Sequence, residues 1–262
     1  MLLALKLFLA PILIGLVSIA GRRWGPAVGG WLVSLPLTSA PVILFLAIEQ
    51  GTAFASRASQ DTLLGIISVA SFCLVYCWFS FRFGWPVSML AGWGAFFALT
   101  FIEESIILPL LFSFVVVIAF LALVLIVMPE SQSKDIIINP PRWDTPLRML
   151  VATAFVLGLT GAASILGPQL SGLLAPFPMF TTILVVFTHH FQGPNVARRL
   201  LRGVVAGSFT FVVFFLFISL LVNRWGIAIA FSLAILAAIV IHGISLYLMS
   251  RFRGVRAKWR NT

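Results

Sequence analysis

Charged residues are scarce in this chain, at 9% of its 262 residues, whereas hydrophobic residues make up 61%. A water-soluble domain of this size could not bury that much apolar surface, so the composition excludes one. Cysteine is scarcer still: Cys73 and Cys77 lie four residues apart, and no second pair exists to complete a metal site. The sequence also lacks a phosphate loop, a nucleophile elbow, a metal-binding helix motif and a dinucleotide fingerprint. We therefore predict that the protein is not an enzyme and uses no cofactor or metal.

The sequence is rich in apolar runs of about 20 residues, the length that crosses a bilayer as a helix. They predict an all-α polytopic membrane protein with nine transmembrane helices, at about 2–20, 27–48, 62–80, 84–102, 106–128, 147–166, 169–190, 202–223 and 226–250.

The chain also contains an internal repeat. Residues 25–84 align without a gap on 167–226, and 15 of these 60 pairs are identical at a constant offset of 142. The shared residues include glycines and prolines, which matching driven by apolar composition would not favour. The identical pairs begin at Gly25, Pro26, Gly30, Leu32, Pro36, Phe45, Gln50, Gly51, Ala55, Arg57, Gly65, Phe72, Leu74, Arg82 and Gly84. A duplicated membrane unit is typical of transporters whose site lies where the two copies meet.

Basic residues predict the orientation, because Lys and Arg accumulate in cytoplasmic loops. With the N-terminus outside and the C-terminus in the cytoplasm, 14 of the 17 basic residues are cytoplasmic. An odd number of spans then separates the two copies, so they are inverted in a 4+1+4 arrangement. The expected loop at 49–61 carries one basic residue and its counterpart at 191–202 carries three, as inversion requires. We expect repeat 1 over 1–102, a linker span and cytoplasmic loop over 103–146, and repeat 2 with a basic tail over 147–262.

Two equivalent prolines, Pro36 and Pro178, lie about ten residues into spans 2 and 7 and predict a broken helix in each. Each proline removes the backbone donor for a carbonyl four residues earlier, here Leu32 and Leu174. Such breaks at matching positions in two repeats are a pointer to a transport site. The predicted substrate-binding residues are Ser34, Pro36, Thr38, Ser39, Pro176, Pro178, Thr181 and Thr182. The alternative is that these prolines only kink helices for packing.

Ionisable groups are predicted at the span ends and none at mid-depth, so a small neutral or amphipathic solute fits better than one bound by ion pairing. Candidates for gating or proton transfer are Glu49, Gln50, His189, His190 and Gln192. The alternative interpretation is that they cap helices within reach of lipid headgroups.

The net charge of +10 arises from loops that orient a membrane protein, and we expect no nucleic-acid partner. The expected partners are the lipid bilayer, a small-molecule solute and anionic headgroups, which five basic residues in the last twelve suit. Association into a homo-oligomer stays open.

The segment Gly172-Leu-Leu-x-x-Phe177-Pro178-x-Phe180, followed by Gly193 fifteen residues after the proline, resembles the GlpM-type small bacterial inner-membrane proteins. Copy one keeps the same spacing from Pro36 to Gly51, and Glu49 stands where that family tends to have an acidic residue, whereas copy two has Phe191 there. Members of that family are single units of about four spans. The resemblance implies a tandem duplication of such a unit in a bacterial-type inner membrane.

These features predict a transporter or permease that works by alternating access between inverted repeats, with a midplane site at spans 2 and 7. Two alternatives remain open: a non-transporting membrane scaffold of an envelope-assembly complex, and a small-ion channel.

Overall fold

The computed structural model describes residues 2–37, 39–103, 105–106, 108–129, 140–141, 143–158 and 177–259, with side chains from 11 to 247 within these ranges. All regular secondary structure in these segments is helical, which confirms the predicted all-α class.

Ten helices are described in chain order. They are α1 (Leu2–Trp24), α2 (Pro26–Val33), α3 (Ser39–Glu49), α4 (Thr52–Leu64), α5 (Ile66–Phe79), α6 (Trp85–Glu103), α7 (Leu110–Val127), α8 (144–158), α9 (Met179–Gln192) and α10 (Pro194–Trp259). Helix α10 is interrupted at Gly226, which has a φ of 77°. Gly65, with helical backbone angles, joins α4 to α5.

Within the described part of the chain, four helical segments are long and apolar enough to cross a membrane, over Thr52–Phe79, Trp85–Glu103, Leu110–Val127 and Pro194–Tyr247. Their large apolar side chains are often exposed, as at Leu111, Val115 and Ile126 of α7. Exposed apolar surface of this extent suits lipid contact. The chain is therefore compatible with a polytopic membrane protein, and the count of nine spans remains a prediction.

The predicted loops at 49–61 and 191–202 are wrong, because both segments are helical almost throughout. Helix α4 begins at Thr52 and α10 at Pro194, each directly after a glycine. The charged residues of the segment, Arg57 and Asp61, are exposed on one face of α4. The opposite face buries Ala55, Ser59 and Leu63 at four-residue spacing, so the segment is an amphipathic helix.

Helix α10 lies at the centre of the fold and packs against α2, α4, α7 and α9. Its contact with α2 is close, since a Cβ atom at Gly30 would overlap the Leu200 carbonyl, and one at Gly203 would overlap the Ala27 carbonyl. Small residues at such positions let two membrane helices approach each other. The predicted repeats thus pack against one another, and their boundaries remain a prediction.

Candidate functional site

The two proline breaks have the same backbone hydrogen bonds. At Pro36, the Leu37 N–H donates to the Leu35 carbonyl at 2.8 Å, and the Ala40 N–H donates to the Pro36 carbonyl at 2.8 Å. At Pro178, the Met179 N–H donates to the Phe177 carbonyl at 2.7 Å, and the Thr182 N–H donates to the Pro178 carbonyl at 2.8 Å. Pro178 has φ −77° and ψ 54°, the geometry of an inverse γ-turn. Residues 142 positions apart therefore build the same local structure.

The turns that follow α3 and α9 are also alike. Gly51 has φ 91° and ψ 165°, and Gly193 has φ 89° and ψ 170°. Only glycine adopts this region readily, which explains why both copies have glycine there. Each glycine carbonyl accepts from the N–H four residues later, that of Ala55 or Ala197, at 3.2 Å.

The hydroxyl and carbonyl groups at the first break already have partners. The Leu32 carbonyl has no donor in Pro36, as predicted, but it accepts the Leu35 N–H at 3.2 Å and is therefore not left unpaired. Ser34 is buried, and its hydroxyl donates to the Val204 carbonyl of α10 at 2.7 Å. The hydroxyl thus joins the end of α2 to α10. Leu174, Thr38 and Pro176 lie outside the described residues.

The other predicted substrate-binding residues are partly or fully enclosed. Pro36 and Pro178 are buried, and Ser39 is half-buried at the first turn of α3. Thr181 and Thr182 are buried in α9, where the Trp93 indole N–H donates to the Thr182 hydroxyl at 3.3 Å.

A small apolar cleft lies beside the first break. Its empty volume is about 270 Å³, including its opening to solvent. We call it the break cleft; it is lined by Leu13, Val17, Leu32, Val33, Leu35, Leu37 and Phe180. The lining comes from α1, from both sides of the first break and from the residue two positions after Pro178. The cleft thus lies at the first break and reaches the first turn of α9, and its lining is aliphatic and aromatic.

A second pocket adjoins the break cleft, sharing Val17 with it, and contains polar groups. Its empty volume is about 330 Å³, again including the opening. We call it the arginine pocket; it is lined by Val17, Ser18, Gly21, Arg22, Pro26, Gly29, Arg148, Leu184, Thr188, Gln192 and Leu200.

The two arginines of this pocket hold one buried carboxylate. Arg22 Nη2 donates to Asp144 Oδ2 at 2.7 Å, and Arg148 Nε donates to Asp144 Oδ1 at 2.9 Å. Arg148 also donates from Nη1 to the Thr188 hydroxyl at 3.4 Å, and its guanidinium lies 5.4 Å from the Phe187 ring centre. Because Arg148 is 3% exposed and Asp144 fully buried, this network ties α1, α8 and α9 together.

One face of α9 runs along both pockets. Phe180 lines the break cleft, whereas Leu184, Thr188 and Gln192 line the arginine pocket. These residues follow one another at four-residue spacing, which places them on one side of a helix. Together the two pockets form a groove between α1, α2 and α9 that is apolar at one end and polar at the other. We call it the α1–α9 groove.

The predicted gating residues are not brought together. Gln192 lines the groove, but His189 faces α5, where its Nδ1 lies 3.0 Å from the Tyr76 hydroxyl. His190 is exposed and packs edge-on to Trp85. Glu49 and Gln50 are exposed at the end of α3.

Sequence reasoning missed two buried polar clusters that the repeat register relates. In the first, the Thr100 hydroxyl donates to Ser68, which donates to Glu103, both at 3.0 Å. In the second, the residues 142 positions later are Thr210, His242 and Ser245. Extending the register beyond residue 226 would have found both clusters. His242, buried in α10 within predicted span 9, is an ionisable group that the prediction of none at mid-depth did not consider.

The second cluster joins the two copies. Thr210 Oγ1 lies 2.9 Å from His242 Nδ1, and the Trp31 indole N–H donates to Ser245 at 2.6 Å. The Trp31 ring stacks on His242 with 3.5 Å between centroids. His242 Nε2 is buried and has no hydrogen-bond partner in the described part of the chain.

Among the described residues, no three His, Cys, Asp or Glu side chains are grouped so that they could hold a metal ion. Comparison of the whole chain with protein-family models, curated proteins and solved structures gives no match in any of the three.

Proposed function

We propose that this chain is a membrane transporter of a small amphipathic solute, working by alternating access between two inverted repeats. In this proposal nine helices form a 4+1+4 body in a bacterial-type inner membrane, with the N-terminus outside. The chain is then a tandem duplication of a GlpM-like unit. The observation that carries the proposal is the pair of repeat-equivalent prolines, which have the same local hydrogen bonds, together with a cleft that joins the first break to Phe180 of α9.

Breaks at matching positions favour transport because they interrupt helices where two repeats meet, which is where transporter folds place their sites. The α1–α9 groove narrows the class of solute. Its apolar end at Phe180 and its polar end at Gln192 suit a molecule that has both kinds of surface. A purely polar solute would lose its hydration at the break cleft without gaining hydrogen bonds.

The groove also suggests one stage of the transport cycle. The arginine pocket is built from Arg22 and Arg148, both on the proposed cytoplasmic side, and from the end of α9. At the position of copy one equivalent to Gln192, Gln50 is exposed at the end of α3. Inverted repeats that exchange conformations would exchange these two arrangements. The described conformation is then one that opens toward the cytoplasm.

Cysteine accessibility tests the proposal without knowledge of the solute. A Cys73→Ala, Cys77→Ala background removes both native thiols, which are buried. Phe180→Cys is then treated in proteoliposomes with a membrane-impermeant maleimide, applied from either face. We expect labelling from both faces. Pro36→Ala and Pro178→Ala should each slow labelling from at least one face, and the double variant should lose less than the sum, because both prolines shape one cleft.

Two controls calibrate this experiment. Ala234→Cys, at a fully buried position of α10, should stay unlabelled. Asn261→Cys, in the basic tail, should react from the cytoplasmic face only and so reports the orientation. Labelling of Phe180→Cys from one face alone, or unchanged labelling in the double proline variant, would contradict alternating access and favour the scaffold.

A further inference from the structure

We infer that the α1–α9 groove binds an amphiphile with an anionic headgroup, a phosphate or a carboxylate, placed in the arginine pocket with its apolar chain along the break cleft. The inference deepens the proposed function, since it names the class of solute for the same groove.

The net charge of the arginine pocket favours an anionic ligand. Arg22 and Arg148 carry two positive charges, and Asp144, which they share, carries one negative charge. Among the described residues, no acidic side chain lines the pocket itself. Asp144 balances the buried Arg148, so the positive charge in excess belongs to Arg22, whose side chain is 33% exposed. A bound anion would pair with this guanidinium at the mouth of the pocket and gain charge-assisted hydrogen bonds.

Uncharged hydrogen-bond donors around the pocket complete an anion-binding site. The Ser18 hydroxyl is buried and finds no hydrogen-bond partner within the described ranges. The Thr188 hydroxyl accepts from Arg148, so its own proton remains available to donate. The Gln192 amide stands one helical turn further along the same face of α9. An oxyanion accepts several hydrogen bonds at once, and a guanidinium with hydroxyl and amide donors is the usual set that binds one.

The length of the groove and its apolar lining indicate that the ligand also has an apolar part. Helix α9 rises about 18 Å from Phe180 to Gln192, which is more than an anion alone occupies. Leu184 continues the lining between these two residues, and Leu13 and Val17 of α1 face the same space. An alkyl chain attached to the headgroup would bury its methylene groups along this path. A free phosphate ion would leave the break cleft unused.

The experiment measures ligand binding to the full chain in nanodiscs of zwitterionic phosphatidylcholine. The probes are inorganic phosphate, dodecyl phosphate, and dodecyl maltoside, which has the same chain and an uncharged head. Thermal unfolding reports binding, and solid-state dephasing of ³¹P by ¹⁵N-labelled arginine reports contact with a guanidinium. We expect dodecyl phosphate to half-saturate at a concentration at least about tenfold below that of the other two probes. We also expect ³¹P dephasing with dodecyl phosphate.

Variants test which end of the groove binds the headgroup and which binds the apolar chain. Arg148→Gln should abolish the dodecyl phosphate effect and Arg148→Lys should keep part of it. Because Arg148 also holds Asp144, Ser18→Ala and Gln192→Leu test the same pocket with both ion pairs intact, and each should weaken binding severalfold. Phe180→Ala should weaken the binding of dodecyl phosphate about tenfold and leave the binding of inorganic phosphate unchanged. Arg82→Gln, at an exposed arginine outside the groove, is the matched control.

Nanodiscs with added phosphatidylglycerol distinguish two sources of the ligand. Competition with dodecyl phosphate that depends on Arg148 would identify a bilayer lipid, whereas no competition would identify a single-chain amphiphile from water. Both results support the site. Equal binding of phosphate and dodecyl phosphate, or dodecyl phosphate binding unchanged in Ser18→Ala, Gln192→Leu and Phe180→Ala, would overturn the inference. If dodecyl phosphate does not bind but Phe180→Cys is labelled from both faces, the inference fails and the transport proposal stands. If dodecyl phosphate binds but Phe180→Cys is labelled from one face only, the transport proposal fails and the inference stands.

Discussion

At the second proline break, Phe177 precedes Pro178 and lies among four aromatic rings, whereas at the first break the equivalent Leu35 lines the break cleft. The ring centroids of Trp93, Phe96, Phe97 and Phe155 lie 5.4 to 5.7 Å from that of Phe177. Aromatic rings at this spacing attract one another beyond the effect of buried area. The two breaks therefore share a backbone and differ in packing.

This difference distinguishes two roles for one backbone motif. A break filled by interlocking rings resists rearrangement, because close-packed interiors change shape in discrete steps. A break beside a cleft has space into which side chains can move. Under the proposed mechanism, the segment between α2 and α3 is the more mobile of the two, and the start of α9 is the firmer support.

The largest expected effect comes from removing the aromatic centre. Phe177→Ala should lower the free energy of unfolding by about 3 kcal/mol, the lower end of the range for a phenylalanine truncation, because the side chain is half-buried and loses its contacts with four rings. Leu35→Ala should cost about 2 kcal/mol, because its side chain already borders empty space. Unfolding by dodecyl sulfate in mixed micelles measures both. Leu111→Ala, at a residue that is 65% exposed, is the control and should be nearly neutral. Equal losses at 35 and 177 would remove the distinction between the breaks.

A second, smaller effect tests the shared backbone. Gly51→Ala and Gly193→Ala should each cost about 1–3 kcal/mol, because alanine is strained at these positive φ values. The two losses should agree, since the backbone angles differ by no more than 5°. Gly94→Ala in α6, where a Cβ atom meets nothing within 4 Å, should be neutral or stabilising. Thermal unfolding of the three variants measures these losses. Unequal losses of stability in Gly51→Ala and Gly193→Ala would count against equivalent turns.

The smallest expected effect concerns the hydroxyl that joins the first break to α10. Ser34→Ala should cost about 1 kcal/mol, the net contribution of one hydrogen bond to the Val204 carbonyl. Pro176 is the repeat-equivalent residue, so copy two has no hydroxyl there. Labelling of Phe180→Cys should not change in Ser34→Ala. A variant that folded as stably as the parent yet lost that labelling would instead make Ser34 a ligand contact.

The sequence predicted the helical class and the break at Pro36 from local chemistry, and at Pro178 the described residues show the same turn directly before α9. Proline has no backbone N–H to donate within a helix, and glycine at 51 and 193 allows a backbone that other residues avoid. The predicted loop at 49–61 failed because polar residues on one helix face look like a loop when spatial neighbours are unknown. The predicted set of substrate-binding hydroxyls could not be checked against partners such as Val204, which stands 170 residues away from Ser34.

What the sequence by itself determined is periodic and local: apolar runs of membrane-spanning length, a repeat at an offset of 142, and paired prolines and glycines whose backbone restrictions hold in any fold. Only the tertiary structure decided which side chains share a space. It placed Asp144 between Arg22 and Arg148, aligned one face of α9 with two pockets, and stacked Trp31 on His242. The physical reason is that backbone preferences act between neighbours in the chain, whereas ion pairs and cavities depend on distances between residues far apart in it.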